Sequence, residues 1–260
     1  MTQPLFEQDG TCFIPSEHAR GPWDPNALHG GPVAALMARE MESLPLEMPM
    51  AIARFTVDIL KPVPFARLRV TSAVERPGRR IQLLKASLIA SDEEVCSARA
   101  WRIRTTRLST GVEESQGAPF EGPGSGTVHI PEAETPAFHR TGVELRFVNG
   151  SFFEVGPCTV WIRLLHPVVD EETPSPLMRV LAAADFANGV AAALPWGQFI
   201  FINTDLSVHL HRAPSGEWIC LDSRSDISSG GLGVSDSALF DVTGPIGRAL
   251  QTLFVDELSR

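Results

Sequence analysis

HGGPVAALMAREMESL, residues 29–44, is the stretch on which the fold reading turns. After two glycines and a proline comes an apolar run that reads as a helix, with Asn26 behind Pro25 as its expected N-cap. Working outward, a short strand signal precedes it (5–14, with Asp9-Gly10 as a turn). Four strand-like runs follow: AIARFTVDIL (51–60), RLRVTSAVE (67–75), IQLLKASLIA (81–90) and VCSARAWRIR (95–104). The same plan returns later. ELRFVNGSFF (144–153) and TVWIRLLHPV (159–168) precede a second apolar helix, PLMRVLAAADFANGVAAAL (176–194). Strand signals then resume in FIFINTDLSVHLHR (199–212), EWICLDSRS (217–225), ALFDVTG (238–244) and ALQTLFV (249–255). Faint echoes support a duplication: Gly31-x-x-Ala34-Ala35-Leu36 with Gly189-x-x-Ala192-Ala193-Leu194, Asp58-Ile59 with Asp205-Leu206, and Arg99-Ala100 with Arg248-Ala249. The expectation is two copies of one unit, a long helix followed by an antiparallel sheet that wraps it.

Between the halves, LSTGVEESQGAPFEGPGSGTVHIPEAETP (108–136) contains no Lys or Arg and is rich in Gly, Pro, Ser and Glu, which reads as a linker. The expected division is 1–107, a linker at 108–137, and 138–260. The 260 residues carry a formal charge of −9, which argues against a duplex nucleic-acid partner. With 43% hydrophobic and 20% charged residues the chain suits a packed globule. No apolar run reaches the roughly 20 residues of a membrane span, and the start, MTQPLFEQDG, lacks signal-peptide character. Cys12, Cys96, Cys158 and Cys220 show no C-x-x-C spacing, so neither a zinc site nor a disulfide framework is expected. A reducing, cytoplasmic setting follows as an expectation.

Asp185 stands out as a carboxylate in an otherwise apolar helix, where it needs a partner or a function. The plain alternative is a structural Asp capping a helix break near Asn188-Gly189. Gln251, in ALQTLF, shares a strand face with Ala249 and Leu253, although an edge-strand Gln facing solvent is the commoner meaning. On the 199–212 strand, Asn203, Asp205, Ser207, His209 and His211 alternate onto one face. His209 and His211 lack a third metal ligand nearby in sequence. His29-Gly30-Gly31 at a helix start offers bare backbone N–H groups to a phosphate or an oxyanion, or else simply permits close packing. From Ile59 to Arg107 there are 11 basic and 4 acidic residues, and Arg79-Arg80 sits at a turn inside that stretch. The G-x-S-x-G, P-loop, G-x-G-x-x-G and H-E-x-x-H patterns do not occur.

The order HGGPVAAL, FTVDILKPVP, LAAADFANG, NTDLSVHLHR and a terminal strand with Gln resembles the acyl-CoA thioesterase II family, over about 6–255. The resemblance implies an α+β double hotdog and an enzyme of lipid metabolism that hydrolyses acyl-CoA by direct water attack. No cofactor, metal or covalent intermediate is implied, and further homo-oligomers are possible. The family's water-activating Asp, Thr and Gln fall on Asp185, Asn203 and Gln251, with Asn in place of Thr. The resemblance also puts an oxyanion or substrate-binding role on His29, Gly30 and Gly31. It makes Arg79 and Arg80 the expected partners of the coenzyme A phosphates. Two other readings stay open. Asp24-x-Asn26-x-Leu28-His29 is similar to the D-x-N-x-x-H signature of hotdog enoyl-CoA hydratases, and Asn203 is compatible with a non-catalytic acyl-CoA binder.

Overall fold

The computed structural model describes residues 3–109, 117–128 and 135–258. The N-terminal signal is a hairpin, β1 (Phe6–Asp9) and β2 (Cys12–Pro15), turning at Gly10 with φ of +63°. Helix α1 (Gly30–Glu42) follows, then β3 (Met50–Ile59), β4 (Leu68–Arg76), β5 (Ile81–Ala90) and β6 (Glu93–Arg104). The second half contains β7 (Thr127–Val128), β8 (Val143–Asn149) and β9 (Cys158–Leu164), then α2 (Pro176–Ala184) and α3 (Ala187–Val190). It closes with β10 (Phe199–Asn203), β11 (Asp205–Leu210), β12 (Trp218–Ile227), β13 (Leu232–Asp241) and β14 (Gly244–Glu257).

The strands form one antiparallel sheet in the order β1-β2-β4-β5-β6-β3-β11-β14-β13-β12-β9-β8-β7, with β10 paired to the far end of β14. The two halves join edge to edge at β3 and β11, where Thr56 faces Ser207 and the hydroxyls bond at 3.1 Å. Each helix lies on strands of its own half, and α1 packs against α2. One core runs through both halves, from Leu36, Met37 and Phe55 to Leu181, Val208 and Leu221, all essentially inaccessible. The seam is therefore interior, and the helix-to-helix contact sits where the apolar stripes of the two helices meet.

Several sequence expectations change in detail. The N-cap of α1 is His29, whose Nδ1 lies 3.2 Å from the Gly31 nitrogen; Asn26 belongs to the preceding turn, its N–H bonded to Asp24. The apolar run 176–194 is not one helix but breaks at Asp185-Phe186. The linker is described only in part. Its 117–128 stretch docks on the second half: Phe120 meets Phe240 edge to face, Trp161 donates to the Glu121 carbonyl, and Thr127–Val128 pairs with β8. The residue echoes also fail as structural equivalents. Asp58 pairs with Ser97, so the echoes place Asp205 opposite Ile246; its carboxylate instead takes the N–H of Thr252. Helix-then-sheet order repeats, while the coincidences in small residues do not mark it.

Candidate active site

Asp185 is the C-cap of α2 and is 5% exposed. A negative charge there opposes the dipole of its own helix, but the N-terminal turn of α1 faces it from across the helix pair. A Cβ on Gly30 would lie 2.8 Å from Asp185 Oδ2, and one on Gly31 would lie 2.6 Å from the Ala182 carbonyl oxygen. Both glycines are thus required for the helices to approach closely enough to bring the carboxylate against α1. Close packing is what they demonstrably do. Gly30 also lines the cavity described below.

Three side chains converge on the carboxylate. His29 Nδ1 lies 2.8 Å from Oδ2; Asn203 donates its amide to Oδ1 at 2.9 Å; Gln251 donates to the same oxygen at 3.3 Å and to the Asp185 carbonyl at 3.4 Å. The Gln251 oxygen accepts from the Asn188 N–H at 3.2 Å, and Asn188 donates onward to the Phe201 carbonyl at 3.0 Å. His29 Nδ1 has one in-plane site, so it either accepts from the Gly31 N–H at 3.2 Å or carries the proton that bonds Asp185 Oδ2. With Oδ1 already accepting from two amides, a carboxylate at Oδ2 accepts from that proton on Nδ1. His29 then points Nε2 away from Asp185, and its ring packs against Phe138 and Phe186 at centroid distances of 5.0 and 4.9 Å, the two phenylalanines also meeting each other at 5.5 Å. Such a constellation consists of an imidazole, a carboxylate that orients it, and two amides that fix the carboxylate.

Asn203 reaches this cluster because the strand expected at 199–212 is interrupted. Asn203 pairs with Leu253 and Ser207 with Leu250, so one extra residue is accommodated opposite β14. The phase changes across Thr204: Phe201 and Asn203 point inward before it, Leu206 and Val208 after it, while Ile202 is exposed. A local bulge of this kind re-aims a side chain, and here it turns Asn203 off the polar face assigned to it by alternation. His209 and His211 remain on the exposed face. Gln251 is 1% exposed, because β14 is flanked by β13 on one side and by β10 and β11 on the other rather than lying at an edge.

The cluster opens on a cavity of about 550 Å³ with walls from both halves, including Trp23, Val57, Phe152, Trp196, Ile202 and Leu206. Trp23 stacks on Trp196 at 4.9 Å, and Phe201 packs edge-on against both. This is the size and apolar character of a small-molecule site. Cys96 lines it as a thiol pushed up to about 12 by burial and by the nearby Asp185 carboxylate, so it is no thiolate nucleophile. His139, also in the wall, is held down to about 3 by burial and by its neighbours His29 and Arg140, and stays neutral. His139, the two tryptophans and Lys61 were not distinguishable in sequence, since nothing in their local pattern ties them to Asp185.

Asp24 touches the same cavity, but its carboxylate accepts from Asn26 N–H at 2.8 Å within its own turn. The carboxylate partner of His29 is Asp185, from the other half. Arg79 and Arg80 are exposed at the β4–β5 turn and line no part of this cavity. Cys96, in the cavity wall, and Ile103, opposite Ile81 beside that turn, are seven residues apart on β6. That is roughly 23 Å at about 3.3 Å per residue. The structure thereby removes Arg79 and Arg80 from the neighbourhood of the site. The cations at the cavity wall are Lys61, paired with Glu93, and Arg140.

The architecture is that of known hotdog proteins. A conserved protein of unknown function with a hot dog fold from Alicyclobacillus acidocaldarius superposes with a TM-score of 0.75 at 17% identity, over 98% of this chain and 96% of the other. The tesB protein of Mycobacterium avium subsp. paratuberculosis gives 0.70 at 14% identity, over 96% and 95%. Acyl-CoA thioesterase II TesB2 from Mycobacterium marinum gives 0.66 at 13%, over 94% and 97%. No curated protein matches the sequence. The acyl-CoA thioesterase N-terminal domain matches residues 19–103 and the acyl-CoA thioesterase C-terminal domain residues 112–255. The chain belongs to the acyl-CoA thioesterase family and is a thioester hydrolase. No helix among the described residues is long and apolar enough to cross a membrane.

Proposed function

We propose that this double hotdog hydrolyses acyl-CoA to the free acid and coenzyme A by direct attack of water, at the centre formed by His29, Asp185, Asn203 and Gln251. The observation that carries this reading is the 2.8 Å contact between His29 Nδ1 and a buried Asp185 at the wall of a large apolar cavity. His29 comes from the first helix, Asp185 from the second, and the amides from strands of the second half. On this reading residues 1–107 and 138–260 are the two hotdog units, joined by 108–137, and neither holds the whole centre.

The mechanism follows from the proton inventory. With a proton on Nδ1, His29 Nε2 is the acceptor for a proton from water as the oxygen attacks the thioester carbonyl carbon. Asp185 stabilises the imidazolium that forms and fixes its tautomer. Asn203 and Gln251 prevent the carboxylate from rotating away. The N–H of Gly30, in the first turn of α1 and on the cavity wall, meets the charge developing on the carbonyl oxygen. The C–S bond then breaks and the sulfur takes the proton from His29, leaving acid and thiol. A thiol is a good enough leaving group that no metal or covalent acyl-enzyme is needed.

The Asn at 203 suits this arrangement, since its amide donates to Asp185 as a threonine hydroxyl could. That favours turnover over a purely binding role. A hydratase using Asp24 and His29 is disfavoured because the Asp24 carboxylate is committed to its turn. The discriminating experiment is a panel of saturated and 2,3-unsaturated acyl-CoA esters, with free thiol and conjugated double-bond absorbance followed separately. Thiol release with retained double bond supports the reading. Loss of the double bond without thiol, or binding without either, overturns it.

A further inference from the structure

A second chamber of about 400 Å³ adjoins the apolar cavity, and Gly21, Pro22, His139 and Arg140 belong to both walls. The two chambers are neighbours on either side of these four residues, and they differ in character. The inner one is walled by aromatic and aliphatic side chains, whereas the outer one contains Glu17, Arg20, Thr135 and Arg140. An amphiphilic thioester has the same division, with an apolar acid at one end and a charged carrier at the other.

Arg140 is the cation at the junction. Its ordered contacts are two 3.5 Å approaches to Thr135, one to the carbonyl and one to the hydroxyl. Among the described residues it has no carboxylate partner, and its buried Nε has no hydrogen-bond partner. The other cations nearby are already engaged. Lys61 pairs with Glu93, and Arg20 bonds the Pro25 carbonyl, lies over the Phe65 ring at 3.8 Å and approaches Glu17 at 3.6 Å. In a chain of net charge −9, a polyanionic ligand is repelled at long range and needs a local cationic contact to dock. A guanidinium with unspent donors supplies that contact in the planar, two-pronged form that suits phosphate oxygens.

We propose that the outer chamber is the docking site for the phosphates of the nucleotide thioester, with Arg140 as the contact. This rests on the acyl-CoA reading and assigns the polar chamber. It orients the substrate: phosphates outside at Arg140, thioester at His29 and Asp185, acyl group toward the aromatic interior. It also relocates phosphate recognition from the turn at Arg79-Arg80 to this chamber.

The test compares the full-length enzyme and Arg140→Ala on a medium-chain acyl-CoA and on the N-acetylcysteamine thioester of the same acid. Loss of a charge-assisted contact should raise KM for the CoA ester about tenfold, with kcat unchanged to within about twofold. The kcat/KM for the truncated thioester should stay within about twofold, and Arg140→Lys should recover part of the CoA-specific loss. Equal changes on both thioesters, or none on either, overturn the proposal. Calorimetry with adenosine 3′,5′-bisphosphate tests the same site without turnover. Wild type should bind it, more weakly as salt is raised, and Arg140→Ala about tenfold more weakly still. Identical binding to both proteins also overturns it. If the bisphosphate binds through Arg140 but no CoA ester is hydrolysed, the hydrolase reading fails and the site stands; CoA-ester hydrolysis indifferent to Arg140 does the reverse.

Discussion

Asp185→Asn is the most informative single substitution. The new amide can satisfy the same neighbours: its oxygen accepts from Asn203 and Gln251, and its NH2 group faces His29 Nδ1. The side-chain shape and the three contacts, at 2.9, 3.3 and 2.8 Å, are kept. What changes is the tautomer. An NH2 donor toward Nδ1 forces the imidazole proton onto Nε2, the nitrogen that must accept from water, and removes the charge that stabilises the imidazolium. A carboxylate-to-amide change of this kind behind a catalytic histidine costs about 10⁴-fold in kcat in a serine protease. Here the expected loss is about 10³–10⁴-fold in kcat, with KM within about threefold, because the substitution touches the reacting proton and not the acyl or phosphate contacts. The assay is thiol release from acyl-CoA with a chromogenic disulfide, alongside a thermal melt, which should move by only a few degrees. A well-folded Asp185→Asn enzyme that releases thiol at the parent rate would refute the reasoning. So would a loss carried entirely by KM.

Other outcomes follow from the same geometry. Gly31→Ala places a methyl 2.6 Å from the Ala182 carbonyl, so α1 and α2 must separate; it should cost about 1–3 kcal/mol in urea unfolding and lower kcat by displacing Asp185. Cys96→Ser should retain most thiol release with no pre-steady-state burst, and Cys96 in the native enzyme should resist alkylation at pH 8, because the thiol is pushed up to about 12. His139 has a folded-state pKa lowered to about 3 from an ordinary value of 6.5, so the unfolded chain binds the proton more readily between those values. Its contribution to stability is therefore complete above about 6.5 and is lost as pH falls toward 3. Melting curves over that window should show a shallower acid-side decline for His139→Gln, and parallel curves would contradict the assignment.

Much of this was legible in the sequence, for identifiable reasons. The strands at 51–60, 67–75, 81–90 and 95–104 are found within one or two residues of their expected bounds, because alternation and Gly, Pro or Asp turns specify a half-buried antiparallel strand locally. Asp185 was conspicuous because a carboxylate in an apolar helix has few inexpensive explanations. Long-range geometry was harder to read. Gln251 resembled an edge residue until β14 was seen between its neighbours, and the inward turn of Asn203 depends on a register shift against β14. The pairing of His29 with Asp185 joins residues 156 positions apart through two glycines whose role is packing. Arg79 and Arg80 illustrate the reverse case: local charge density drew attention to a turn that lies about 23 Å along the sheet from the cavity.

The central claim is that His29 and Asp185 act as one unit on one proton, and a double-mutant cycle in kcat for thiol release from acyl-CoA tests it directly. His29→Gln should cost about 10²–10⁴-fold and Asp185→Asn about 10³–10⁴-fold, and the double variant should fall within about threefold of the slower single, since removing either leaves the other nothing to do. Losses that multiply, with the double variant slower by the product of the two singles, would show two independent contributions and contradict the account.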